Sequence, residues 1–358
     1  MPSLGDTIGR LAARRSAFLQ GGSARAGGDT LVDLDSFGRN PGALRARCFV
    51  PANLGEHAAL VVVLHGCTQT AADYDRGAGW SALAQEAGFA VLFAEQQRSN
   101  NANLCFNWFA PGDIERGGGE VQSIAQMTEA MVVAHGLDRR RIFVTGLSAG
   151  GAMAMAMLAT HPEVYAGGAV IAGVPYAAAA TVAEAFDRMR GHGLPDTATL
   201  AARLLAAAPE TKALPILSVW QGSADATVDP ANAEALVAAW CALHDTPPIA
   251  AEHQTMGRHQ TRSWRDAAGR AIVESHVIAG MGHGTPLATH GHEACGVAGP
   301  YMLDVGVSST RRIAAFWGIS AVVAPAAGPR APVNPVDASA HGVSGVITRA
   351  LQQAGLMP

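Results

Sequence analysis

The sequence predicts an α/β fold: a mostly parallel central sheet with helices on both faces. Two observations predict it. Short β-branched or apolar runs recur along the chain, with longer stretches of helical periodicity between them. Hydrophobic residues make up 49% of the 358, enough for a sizeable core, and no internal repeat or second core interrupts the pattern. Strands that alternate with helices pair in parallel, because each return to the same sheet edge needs a crossover.

In chain order, strands are expected at 44–50 (LRARCFV), 59–64 (ALVVVL), 89–94 (FAVLFA), 141–146 (RIFVTG), 167–173 (GGAVIAG), 215–222 (PILSVWQG) and 271–280 (AIVESHVIAG). Helices are expected near 79–88, 120–135, 149–160, 197–208, 230–243 and 307–317. Residues 176–214 carry no convincing strand, and their Ala-rich helical sequence predicts an insertion over one sheet edge, of the kind that often forms a lid. The main domain is expected over 30–320, after an N-terminal helical extension at 1–29. From 321 on, Pro325, Pro329, Pro332 and Pro335 predict an extended linker, closed by a short amphipathic helix at about 344–355.

Charged residues are only 15%, the formal net charge is -4, and Lys and Arg are scattered, which argues against a nucleic-acid partner. No apolar run approaches the roughly 18 residues of a membrane span. The N-terminus carries Arg10, Arg14 and Arg15 but breaks its apolar residues into an amphipathic pattern, so no secretory signal is expected and, by that criterion, the chain is cytoplasmic. The cysteines at 48, 67, 105, 241 and 295 are too few and too widely spaced to frame a disulfide mini-domain. Their odd count leaves at least one thiol free, and the compartment stays open.

The stretch GLSAG (146–150) matches G-x-S-x-G between a strand and a helix, the context in which a serine becomes a nucleophile. On such a turn the backbone at Ser148 is strained, Gly146 and Gly150 avoid clashes, and the hydroxyl rises above the sheet edge near the positive end of the next helix. The competing reading makes Ser148 an ordinary helix cap. Partners follow in the order acid, then base. Asp225 stands just past the strand 215–222; Asp229 precedes Pro230 and suits a cap better. His283 lies on a glycine-flanked turn after the strand 271–280. His276 lies inside that strand, and His253, His290 and His292 are rival bases.

The early strand ends in His65-Gly66-Cys67, where a backbone N–H of Cys67 joins that of Ala149 to form an oxyanion hole, with His65 bracing the loop. Chemically, Ser148 carries the acyl group, His283 shuttles the proton and Asp225 orients the imidazole, without metal or cofactor. His290, His292 and Cys295 have spacing that a metal could use, but no fourth ligand adjoins them. No dinucleotide or phosphate loop follows a strand. In GDIERGGGE (112–120) the glycines read as a flexible turn, and Glu120 opens a helix whose dipole its charge complements.

The motifs LHGCTQTAADYDRGAGW, CFNWF, RGGGE, GLSAGGAMA, GVPYAAA, GMGHGTP and CGVAGPYMLDVGVSST together resemble the poly(3-hydroxybutyrate) depolymerase family of esterases, which is close to feruloyl and acetylxylan esterases. The resemblance covers about residues 30–320. It implies an α/β-hydrolase fold, a serine esterase mechanism with Ser148, Asp225 and His283 as the triad, and Cys67 at the oxyanion position. It also implies that Trp108 lines the substrate cleft, the alternative being a core aromatic, and that Cys67 pairs with Cys105. Gln221 is a second substrate-binding candidate. Two departures from secreted polymer depolymerases, the missing signal peptide and the short tail after Val323, make a soluble oligomer or small ester as suitable a substrate as an insoluble polymer. Three other readings remain: a feruloyl or acetyl esterase, a peptidase on this fold, and a catalytically silent binding protein. The oligomeric state is left open.

Overall fold

Side chains on one strand alternate between two cores, and that alternation organises the computed structural model of the chain, described here for residues 30–208, 214–246 and 252–321. The strands are β1 (Val32–Asp33), β2 (Arg45–Phe49), β3 (Leu60–Leu64), β4 (Ala90–Glu95), β5 (Ile142–Leu147), β6 (Gly167–Ile171), β7 (Ile216–Gly222), β8 (Glu252–Met256), β9 (His259–Arg265), β10 (Ala271–Ile278), β11 (Thr285–Leu287) and β12 (Met302–Asp304). The helices are α1 (Ala71–Ala78), α2 (Trp80–Ala87), α3 (Pro111–Ile114), α4 (Gly119–His135), α5 (Ala149–Thr160), α6 (Val182–Met189), α7 (Thr197–Ala207), α8 (Ala231–Leu243) and α9 (Ser309–Phe316).

All five residues of β3 are buried, which is why it reads as a continuous apolar run rather than an alternating one. Leu60, Val62 and Leu64 enter the core under α4, α5, α7 and α8. Val61 and Val63 enter the core under α1, α2 and α9. Helix α5 is buried at every position; its Ala, Gly and Met side chains let it lie close to the sheet with no solvent face.

The large sheet has the order β1-β2-β4-β3-β5-β6-β7-β10-β9-β8. Its six central strands, from β4 to β10, run parallel. Antiparallel strands extend it at each edge: β2 and β1 beside β4, and β9 and β8 beside β10. The chain leaves β3 towards β4 on one side and returns to β5 on the other, so the loops after β3 and β5 diverge and open a crevice at the carboxyl edge.

Each strand expected from the sequence is present within two residues at either end, but the first, β2, is antiparallel to β4. The strands not expected are the polar or very short ones. β8 is exposed at all five positions, and β9 (HQTRSWR) carries charge and amide where an apolar period would be needed. Helices α1 and α3 were likewise unexpected. Part of the glycine-rich 112–120 stretch is helical, a correction to its reading as a turn: Pro111 at the first position of α3 supplies a preset φ. The insertion after β6 contains α6 and α7; Leu200 and Leu204 bury one side of α7 in the core under α5 and α8. The extension at 1–29, the linker and the terminal helix lie outside the described residues, as do 209–213 within the insertion. No helix among the described residues is long and apolar enough to cross a membrane.

Candidate active site

β5 ends at Leu147, and the chain reverses into α5 through Ser148, whose φ of 57° and ψ of -117° are outside the regions an L-residue favours. Hydrogen bonds on both sides hold this conformation: Ser148 N donates to Ile171 O at 2.8 Å, and Ala152 N donates to Ser148 O at 2.9 Å. The flanking glycines are required by close approach. A Cβ on Gly146 would fall within 3.0 Å of the Gly150 backbone and Leu64 O, and one on Gly150 would collide with the carbonyls of Leu64 and His65. Ser148 stands at the cap position, yet its side chain makes no capping hydrogen bond. The half-buried hydroxyl is bonded neither to the helix nor to His283, and catalytic hydrogen bonds are often open until substrate binds.

Asp225 follows β7 on a loop stitched to the one after β10. Ala224 N donates to Met281 O at 2.9 Å, and Gly280 N donates to Ser223 Oγ at 2.8 Å. These bonds bring His283 Nδ1 to 2.7 Å from Asp225 Oδ2. The carboxylate accepts three more bonds: Thr227 N at 2.8 Å and Val228 N at 2.9 Å on Oδ1, and Gln221 Nε2 at 3.1 Å on Oδ2. With Asp225 as acceptor, the His283 proton resides on Nδ1 and Nε2 keeps its lone pair. The Tyr301 ring stands edge-on to the imidazole, 6.0 Å between centroids.

Gln221 requires a correction. It is 2% exposed, and its amide is committed to Asp225 and to Val228 O at 3.0 Å, so it stands behind the acid and not on a cleft wall. Trp108 is 7% exposed and packs edge-on to Phe109 within the main core, the packing alternative of its two readings. Asp229 accepts from Ala231 N at 2.9 Å and so serves the start of α8, as its position before Pro230 suggests.

The rival histidines are engaged elsewhere. His276 lies flat on Trp220, 3.8 Å between centroids, and its Nδ1 is 2.8 Å from His259 Nε2. Burial pushes His259 down to about 3, so its ring is neutral. His253, His290 and His292 are exposed. Cys295 is buried with its sulfur near the carbonyls of Ala78 and Gly79, and no group of three metal-ligating side chains occurs among the described residues.

After β3, His65 Nδ1 donates to Gly66 O at 2.8 Å and its Nε2 accepts from Gln96 N at 3.1 Å. That pattern fixes a neutral tautomer, and burial lowers its proton affinity in the same sense. Cys67 and Cys105 form a disulfide. Among the described residues, the backbone amides of Cys67 and Ala149 donate to no protein acceptor. Glu120 departs from its expected role. It lies in the first turn of α4 but is 0% exposed, and it accepts from Asn107 N at 2.9 Å and Gln96 Nε2 at 2.6 Å. Burial outweighs those donors and pushes its carboxyl up to about 8.

A serine on a strained strand-to-helix turn, at the carboxyl edge of a parallel sheet that also carries an Asp–His pair, defines the α/β-hydrolase class. The acetyl xylan esterase from Aspergillus awamori has the same fold, with a TM-score of 0.69 at 22% identity over 81% of this chain and 99% of that one. The family model described as Esterase PHB depolymerase matches residues 45–261. The chain is 43% identical over 292 residues to poly(3-hydroxyalkanoate) depolymerase C of Paucimonas lemoignei, covering 81% of this chain and 70% of that protein. Acetylxylan esterase A of Aspergillus oryzae is 28% identical over 280 residues, 75% of this chain and 87% of that one. The chain belongs to the esterase PHB depolymerase family.

Proposed function

We propose that the chain hydrolyses hydroxyalkanoate esters, polymeric or oligomeric 3-hydroxybutyrate, through an acyl-serine intermediate. The observation that carries the mechanism is the 2.7 Å bond between His283 Nδ1 and Asp225 Oδ2, at the sheet edge where Ser148 is held in its strained turn. His283 Nε2 takes the Ser148 proton as Oγ attacks the ester carbonyl. The developing oxyanion is held by the amides of Cys67 and Ala149, a reading supported by their having no protein acceptor among the described residues. His283 then gives its proton to the leaving alkoxide and activates the water that releases the acid. The substrate class is supported by the higher identity to the Paucimonas lemoignei enzyme; the Aspergillus relatives favour, as second reading, acetyl esters on polysaccharide.

Two measurements test this. Ser148→Ala is expected to abolish both ester hydrolysis and labelling by a fluorophosphonate; a variant as active as the parent would refute the mechanism. Turnover of 3-hydroxybutyrate oligomers, measured beside methyl ferulate and acetylated xylan, decides the substrate. Faster turnover of acetylated xylan would select the second reading.

A further inference from the structure

Glu120 is a wholly buried acid that takes no part in the proposed chemistry, and burying such a group is costly unless its partners compensate. All of its side-chain partners donate to it: Asn107 N to Oε2, and Gln96 Nε2 and Asn100 Nδ2 to Oε1, the last at 3.3 Å. The charged group facing it is Asp113, whose Oδ1 accepts from Glu120 N at 3.3 Å.

Two routes run from this carboxyl to Cys67. In the first, Gln96 Nε2 also donates to Cys105 O at 3.0 Å, and Cys105 is joined to Cys67 by the disulfide. In the second, Gln96 N donates to His65 Nε2, and His65 Nδ1 donates to the carbonyl of Gly66, the residue before Cys67. Gln96 itself cannot turn over, because its Oε1 accepts from Gln97 N at 2.9 Å and Asn100 Nδ2 at 2.8 Å.

We infer that Glu120 is a positioning residue for the oxyanion amide: by accepting from Gln96, Asn100 and Asn107 it fixes the segment 96–107, and through the Cys67–Cys105 bond and the Gln96–His65 contact that segment sets the direction of the Cys67 N–H. This rests on the reading of Cys67 as an oxyanion donor. The reason lies in geometry: an oxyanion donor works only within a few tenths of an ångström of its required place, whereas substrate binding tolerates more.

The test compares the parent with Glu120→Gln and Asn100→Ala in the disulfide-bonded protein, on a 3-hydroxybutyrate oligomer, with Ser148→Ala as the control. At pH 9, where the parent Glu120 is ionised and only accepts, Glu120→Gln presents an NH₂ to groups that are themselves donors. It is expected to lower kcat at least about tenfold with KM within about twofold, and to weaken an alkyl boronic acid, which mimics the tetrahedral state, by a similar factor. Asn100→Ala removes one of the three donors and is expected to act in the same direction by about threefold. A merely structural role would lower the melting temperature and leave kcat and boronate affinity at parent values, and that result overturns the inference. If Glu120→Gln does not fold, an Asn100→Ala enzyme with parent kcat overturns it as well. An active Ser148→Ala would instead overturn the catalytic reading beneath it.

Discussion

At Asp225 four donors converge on one carboxylate, and each has a separate task. The amides of Thr227 and Val228 fix the loop, Gln221 fixes the rotamer and His283 receives the result. Asp225→Asn keeps the shape but faces Nδ1 with an amide that can present a donor, so the wrong imidazole tautomer is favoured. A loss in kcat on the order of 10⁴ is expected by analogy with the serine-protease case, read by steady-state kinetics. Gln221→Leu leaves Asp225 its other three bonds and should cost several-fold in kcat with KM unchanged; a raised KM would return Gln221 to the substrate. Two buried groups carry opposite pH signatures. His259, pushed down to about 3, binds fewer protons folded than unfolded, so its contribution to stability is present above about 6.5 and is lost as pH falls towards 3. Glu120, pushed up to about 8, binds more protons folded, so its contribution is present below about 4.3 and is lost as pH rises through 8. Denaturant unfolding of His259→Asn and Glu120→Gln across pH 4 to 9 should remove the acid-side and alkaline-side losses respectively.

The β5–α5 turn shows why a short motif holds its shape only inside a sheet. Gly150 lies against the carbonyls at the end of β3, so a methyl group there has nowhere to move without displacing the neighbouring strand. Gly150→Ala is expected to destabilise by about 3 kcal/mol or more, as overpacking does at its upper end, and to disturb Ser148 as well. Thermal melts and fluorophosphonate labelling would show both effects; a stable, fully labelled variant would mean that the turn relaxes freely. The Asp225 and His283 loops show the same dependence. They meet because β7 and β10 are parallel neighbours, Val273 beside Leu217 through Ile278 beside Gly222, although 58 residues separate the two side chains in sequence.

For the molecule as a whole, the Cys67–Cys105 bond closes a separation of 38 residues across the site. Loop-closure entropy gives it about 4 kcal/mol of stabilisation, and reduction is expected to lower the melting temperature and activity together. Unchanged activity after verified reduction would show that the Cys67 loop holds its place without the bond. Much of this architecture was legible in the chain, since β3, β5 and α5 have no solvent face and announce themselves as unbroken apolar runs. The strands β8 and β9 at that end of the sheet were not legible, because their pairing comes from backbone bonds, β9 to β10 and β8 to β9, and leaves polar side chains free to face water.

The sequence by itself determined the parallel α/β plan, the glycine-flanked turn at Ser148, and the order of Ser148, Asp225 and His283 along the chain, because hydrophobic period and glycine punctuation are local signals. Tertiary structure alone decided that Gln221 serves Asp225, that Trp108 belongs to the core, that His276 pairs with His259, and that Glu120 is buried against Gln96, Asn100 and Asn107. Each of these depends on what packs against a side chain, whether four residues away, as for Gln221, or 24, as for Glu120 and Gln96, and a buried amide or carboxyl reads in sequence as an exposed one does.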